Sequence, residues 1–417
     1  MNTTDDLTRS LREQANRIGG HPIDLESVRG RARSIQRRRR AGGAVVAAAV
    51  LAVAVPVGIT VAGGLNDASS PQPAPPVEPT IEPAPLQEDG SYLLSPKDAP
   101  EGAVPQVPYI VLDDQRLSTP ERSFELPGDV VQLARFGDGW IAIQAGNYPP
   151  LGTRVVKLDG DLEVSGDAVV PEPTPSGQTL VTNADGSRVG WVEIKDGSPF
   201  LVSAPTQGGT TIRSRIPGDQ HTQSAPVGFL ADGTLVFTTA DPTTFENEFG
   251  YLTTSGEVTD FAGFNTLVST SEATGLVAGQ TKFLGDGSCS GVTDPQAGSG
   301  LLWDTCDYQL GQFSPDGRYV VGLAPYSDGP GSPSLSILDA RTGEPVVDYR
   351  GPKGRQTFIG VDQVVWEDDD TVLATVTQDS EQSIVRAELD GALSQVTPPL
   401  TTADLSIEYR FPNHPFG

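Results

Sequence analysis

From about residue 108 onward the apolar positions fall in short runs bounded by Gly, Pro and Asp. Some are continuous, as in Trp140-Ile141-Ala142-Ile143 and Val372-Leu373-Ala374-Thr375-Val376. The last run alternates, with Leu405, Ile407, Tyr409 and Phe411 at every second position. Runs of this length without helical periodicity predict β-strands, and alternation predicts a strand buried on one face. The N-terminal pattern is different. Leu7, Leu11, Ala15 and Ile18 recur at helical spacing, and Leu25, Val28, Ala32 and Ile35 form a second stripe, which predicts two short helices. Ala41 to Gly64 is a charge-free stretch of 24 residues. As a helix it reaches about 36 Å, enough to cross a hydrocarbon core of about 30 Å.

Charge sets the orientation of that helix. Residues 1–40 hold ten basic and five acidic side chains, so the remainder of a chain with net charge −26 carries −31. Arg37, Arg38, Arg39 and Arg40 stand directly before the apolar stretch, and the first charge after it is Asp67. The positive-inside rule then predicts a single-pass cell-membrane protein with a cytoplasmic N-terminus. Cleavage as a signal peptide at Ala52-Val53-Ala54 is the alternative. A retained anchor is favoured because 40 organised residues precede the apolar run. The basic helices at 1–40 are read as lying on anionic lipid head groups rather than as a docking element.

Four segments follow: a cytoplasmic Arg-rich segment at 1–40, a transmembrane helix at 41–64, a Pro-rich extracytoplasmic linker at 65–107 and an all-β domain at 108–417. Seven prolines between Pro71 and Pro85 favour polyproline II in the linker, making it a stiff spacer.

The all-β domain repeats. Asp138-Gly139, Asp185-Gly186, Asp232-Gly233, Thr274-Gly275, Asp316-Gly317 and Asp369-Asp370 form one series of turn signals, spaced 42 to 53 residues apart. Asp113-Asp114, Asp159-Gly160, Gly208-Gly209, Ser255-Gly256, Thr342-Gly343 and Asp390-Gly391 form a second, with one gap between positions 256 and 343. Two interleaved turn series with one period, and four strand-length runs per unit, are the arithmetic of a β-propeller. Six complete units run from Val130 to about Pro398. The end pieces, Tyr109 to Leu126 and Leu405 to Phe411, predict a seventh blade closed between the termini, the C-terminal piece supplying its inner strand. Six blades is the alternative.

Phe313-Ser314-Pro315-Asp316-Gly317-Arg318-Tyr319-Val320-Val321, followed by Leu335-Ser336-Ile337-Leu338-Asp339-Ala340-Arg341-Thr342-Gly343-Glu344, resembles the blade signature of TolB-like and WD40-like propellers. With its arginine-rich head and apolar anchor, the chain is similar to uncharacterised actinobacterial single-pass membrane proteins. The Gly-His and Trp-Asp pairs of true WD40 repeats are lacking, and the resemblance implies fold rather than activity.

Cys289 and Cys306 are the only cysteines, 17 positions apart in the unit where the second turn series has its gap. Outside the membrane they predict a disulfide that pins a long loop. Gly287-Ser288-Cys289-Ser290-Gly291 has the form of a nucleophile elbow, but that device needs an α/β sheet and a histidine base. His221 and His414 are the only histidines beyond the apolar stretch, so a three-histidine metal site is impossible there. Asp159 with Asp161, or Glu367-Asp368-Asp369-Asp370, supply carboxylates for a hard cation or acid–base chemistry; turn aspartates more often bond their own backbone. Trp140, Trp191, Trp303 and Trp366 predict core packing.

Net charge argues against nucleic acid as a partner, since phosphate would be repelled over most of the surface. The expectation is a membrane-anchored extracytoplasmic propeller without cofactor, a non-catalytic binding module for a protein or cell-envelope ligand. Its membrane contact is lipid around one transmembrane helix. An envelope hydrolase or lyase with carboxylates on one propeller face is the first alternative, and transmembrane signalling through the cytoplasmic helices is the second.

Overall fold

The computed structural model describes residues 81–412, apart from 128–129, 146–152, 166–169, 175–178, 207–208, 219–221, 241–246, 285–286, 299, 327–330, 354–356 and 403–407. The two N-terminal helices, the stretch 41–64 with Arg37 to Arg40 before it, His221 and His414 lie outside the described residues. Among the described residues no helix is long and apolar enough to cross a membrane.

Seven sheets, each built on four antiparallel strands, are present among the described residues, so the ring has seven blades rather than six. Blade 2 runs Val130–Phe136, Gly139–Ala145, Thr153–Leu158 and Val170–Thr174, from the inner strand outward. The four strands of each later blade follow in the same order. The inner strands are Val181–Thr182, Gln223–Phe229, Thr266–Thr270, Gln309–Phe313 and Ile359–Trp366 for blades 3 to 7, and they neighbour one another around a central channel.

Blade 1 joins the two ends of the domain. Tyr409–Arg410 is its inner strand, paired with Tyr109–Val111, and Arg116–Ser118 and Ser123–Glu125 complete the sheet. The C-terminal piece expected over Leu405 to Phe411 thus supplies the inner strand through Tyr409–Arg410, while Leu405 and Ile407 lie outside the described residues. The Tyr409 and Phe411 side chains are buried against Leu373, Ile384 and Val396 of blade 7.

The two turn series map onto two turn positions. Asp185, Asp232, Asp316 and Asp368 each accept the N–H two residues on, in the turn from the inner to the second strand. Asp159, Asp339 and Asp390 act likewise between the third and outer strands. Because neighbouring strands run antiparallel, both turn types lie on one face of the ring, called here the turn face. Asp113-Asp114 departs from its series, since it connects the second and third strands of blade 1 and so belongs to the opposite face.

Blade-to-blade cohesion comes from apolar clusters between adjacent sheets, such as Phe136, Ile141 and Ile143 against Val189 and Trp191. Burying side chains of this size contributes about 1.5–3 kcal/mol each. Side chains also tie the inner strands together. Gln132 exchanges two hydrogen bonds of 2.8 Å with the backbone of Leu180, Ser269 donates to the Gly311 carbonyl at 2.6 Å, and Trp366 Nε1 donates to Gln312 O at 3.1 Å. The Phe411 N–H donates to Gln363 Oε1 at 2.9 Å across the closing seam.

The linker expected over 65–107 needs a correction in its second half. Tyr92–Leu93 adds a parallel fifth strand to the outer edge of blade 6, in register with Tyr349 and Arg350. Pro96–Asp98 forms a 3-10 turn, and the Gly102 N–H donates to Gln395 O at the outer edge of blade 7. Leu94 is fully buried in the core shared by blades 6 and 7. The described part of this segment is therefore a strap on the propeller and not an extended spacer. Outer strands leave unpaired backbone groups, and an added strand satisfies them while hiding apolar surface.

Candidate functional site

Turn geometry brings chemistry to the mouth of the channel on the turn face. In blade 2 the two-residue turn Gly137-Asp138 sets Phe136 opposite Gly139 and Arg135 opposite Trp140. Gly137 sits at φ +61°, where a side chain would be strained. The register stacks the Arg135 guanidinium 4.1 Å from the ring centroid of Trp140. Trp140 is buried between blades 1 and 2, while Arg135 is exposed.

These residues border a cavity of about 540 Å3 at the channel mouth, lined by blades 1, 2, 3, 6 and 7. Val107, Pro108, Val365, Trp366, Phe411 and Pro412 form an apolar wall; Arg135, Asn183, Asp185 and Gln312 supply polar groups. A second lobe of about 260 Å3 continues under blades 3 to 6 and shares Thr182, Ala184, Gln312, Phe313 and Pro315 with the first. Glu272 of blade 5 reaches across the mouth to accept the Ala184 N–H at 2.6 Å. Asp185 Oδ1 accepts from Asn183 Nδ2 at 2.7 Å and from the Ser187 N–H at 2.8 Å. The Ser187 hydroxyl and N–H hold the Asp185 carboxyl below its usual range, so it stays ionised.

Deeper among the inner strands, Asp362 and Arg410 sit on neighbouring blades, 7 and 1. Asp362 lies in a bulge between Val361 and Val364, and its Oδ2 is buried without a hydrogen-bond partner. Burial pushes the Asp362 carboxyl up against the opposing pull of the Arg410 charge, and burial lowers Arg410.

The acidic candidates from the sequence do not converge on the cavity as a pair. Asp159 caps its own turn, and Asp161 is ion-paired with Arg122 at 2.7 Å, both at the periphery of blade 2. Glu367 is held by Arg386 at 2.6 Å, and Asp370 by Arg318 at 3.1 Å. Among the described residues no group of three metal-ligating side chains occurs.

Cys289 and Cys306 form a disulfide, Cα to Cα 4.0 Å. Ser290 pairs with Thr305, so the bridge joins the third strand of blade 5 to the end of its outer strand. It staples two adjacent strands rather than pinning a long loop. The 294–300 connection that replaces the missing turn signal lies at the other end of the pair. Cys289 belongs to the strand Gly287–Thr293 and its sulfur is committed, which removes the nucleophile-elbow alternative.

Of the four tryptophans, Trp140, Trp191 and Trp366 are buried and Trp303 packs against the core between blades 5 and 6. Trp140 and Trp366 also line the cavity. Arg135 was missed by sequence reasoning, although the signal was present: a two-residue turn makes the residues on either side of it cross-strand partners, which pairs Arg135 with Trp140.

No protein-family model and no curated protein sequence matches the chain. Among solved structures, TolB from Acinetobacter baumannii is similar over 68% of this chain and 67% of its own, at 14% identity and a TM-score of 0.38. The Dos1 propeller matches 67% of this chain and 86% of its own at 12% identity, TM-score 0.43. Prolyl oligopeptidase B from Galerina marginata matches 66% of this chain at 11% identity, TM-score 0.45, and this chain spans 42% of its length. At such distances the blade count rests on the strand pairing described above.

Proposed function

We propose that this chain is a membrane-tethered extracytoplasmic binding module that holds its ligand at the channel mouth on the turn face, without chemistry of its own. The observation that carries this reading is the two-lobed mouth itself: apolar walls and a stacked arginine, with the nearby carboxylates engaged in turns and cross-ring bonds. A general acid needs a carboxyl raised toward the working pH; Asp185, which lines the mouth, is shifted the other way, and Asp362, which burial raises, does not line either lobe. A concave, mostly apolar site with a few fixed polar groups suits recognition of a protein or envelope component.

The tether supports the location. A charge-free stretch of 24 residues follows four arginines, and the propeller carries a disulfide, which is typical of oxidising compartments. Protease added to intact cells should remove the propeller and leave a small arginine-rich stub; a mature N-terminus near Ala54 would overturn the anchor.

The binding site is tested by placing a photo-crosslinking residue at Ala184, inside the mouth, and at Glu125, on the outer strand of blade 1. Irradiation of whole cells should give a discrete adduct from position 184 and none from 125. Equal adducts from both positions, or an adduct from 125 alone, would refute the mouth as the site.

A further inference from the structure

We propose that Arg135 is the anchor for a carboxylate on the ligand of the channel mouth, and that an apolar group next to that carboxylate packs on the half-exposed wall of Val107, Pro108 and Val365. This rests on the mouth being the binding site and goes further by naming the chemistry it recognises.

The starting point is charge. Beyond residue 40 the chain has 18 basic against 49 acidic side chains, so an arginine has abundant acids to pair with. Among the described residues seven basic side chains do so: Lys97, Arg122, Arg213, Arg318, Arg350, Lys353 and Arg386. Arg116, Arg135, Arg215 and Arg341 lack an ion pair among the described residues, but Arg135 alone of these lines the cavity, and its guanidinium stacks on Trp140 without a side-chain ion pair or hydrogen bond. Asp185 lines the same cavity without forming an ion pair to it.

Stacking on a buried ring restrains the planar guanidinium while leaving its N–H edges free. A planar fork of this kind matches a carboxylate or a phosphate through two parallel hydrogen bonds. The surroundings choose between them. Asp185 and Glu272 border the two lobes, and a dianionic phosphate is repelled by them more strongly than a monoanionic carboxylate. The apolar wall then selects an acid with a hydrophobic neighbour, such as a peptide ending in an apolar residue, over a small polar acid.

The test uses the full chain in detergent micelles, titrated calorimetrically with N-acetyl-leucyl-phenylalanine as the free acid, with its C-terminal amide and with phenyl phosphate. The free acid should bind, with the amide weaker by about tenfold or more, as expected for loss of a charge-assisted pair. Arg135→Ala should weaken the acid to the level of the amide while the domain still melts cooperatively, a few degrees lower at most, and Arg135→Lys should restore only part of the difference because the fork is lost. Lys157→Ala, which removes the other ring-stacked cation of blade 2, should leave the acid unaffected.

Equal affinity for acid and amide, or an unaltered affinity in Arg135→Ala, would overturn the proposal. So would tighter binding of phenyl phosphate than of the acid, or no heat from the acid at about 10 mM, a concentration generous for a ligand of that size. An adduct from position 184 that persists in Arg135→Ala would leave the mouth as the binding site and remove only the carboxylate anchor.

Discussion

Gln382 Oε1, in the third strand of blade 7, accepts the backbone N–H groups of Glu408 and Tyr409, each at 2.7 Å. One buried amide oxygen thus fastens the incoming C-terminal strand at the seam where the ring closes. Beside it Tyr109 and Tyr409 meet edge to face, 5.9 Å between centroids.

That arrangement predicts the cost of opening the seam. Gln382→Ala removes the acceptor shared by the Glu408 and Tyr409 N–H groups and should lower stability by about 1–3 kcal/mol. Deleting the chain from Asp404 onward removes the inner strand of blade 1 altogether and should give aggregation or a large loss of stability. Denaturant unfolding checks the first, and light scattering with thermal melting checks the second. A truncated protein that stays monomeric with an unchanged melting temperature would show that closure does not depend on this strand.

The blade 5 disulfide closes a loop of 17 residues between strands already paired. Cys289→Ala should cost about 3 kcal/mol while leaving blade number and the channel mouth intact. Mass mapping of a non-reduced digest should recover Cys289 and Cys306 in one linked fragment; recovery of both as free thiols would contradict the structure.

Gly391 lies beneath the ring of Tyr92 at φ +93°, so a Cβ there is both strained and in collision with the strap. Gly391→Ala should destabilise by about 1–3 kcal/mol and loosen residues 81–107 before the ring itself. Limited proteolysis should then cut the strap in the variant at a protease concentration that leaves the parent intact. An identical cleavage pattern would show that Tyr92 accommodates the methyl group.

Asp362 predicts a pH dependence of definite sign. A carboxyl whose folded pKa is raised binds its proton more tightly in the native state, so its contribution to stability falls as pH rises from the usual aspartate range through the raised value. Its penalty is complete once the pH lies above the raised value. Asp362→Asn should therefore gain stability relative to the parent at pH 7, and the gain should shrink on acidification through the carboxylate range. Glu388 is shifted in the same direction, with burial the main cause, so only the difference between parent and variant isolates Asp362. A difference that does not vary with pH would mean that Asp362 is not held above its ordinary value.

Local chemistry made the repeat legible. Tight turns between antiparallel strands favour Asp and Gly, so turn signals recur with the blades and six of the seven blades follow from their spacing. The alternation of Tyr409 and Phe411 and the pairing of the two cysteines were legible for the same reason: each depends on strand geometry or on residue supply alone.

What needed the tertiary structure are relationships between distant positions. Nothing around Tyr92 announces that it will lie in register with Tyr349, and a proline-rich composition favours extended chain whether or not a sheet edge stands beside it. Asp113-Asp114 looks like a member of its series but falls on the opposite face, because blade 1 borrows its inner strand from the other end of the chain. The apolar wall around Arg135, and the juxtaposition of Asp362 with Arg410, exist only once seven inner strands converge on one axis. Short-range pairing is set by neighbours in the sequence, whereas ring closure decides which side chains share a channel.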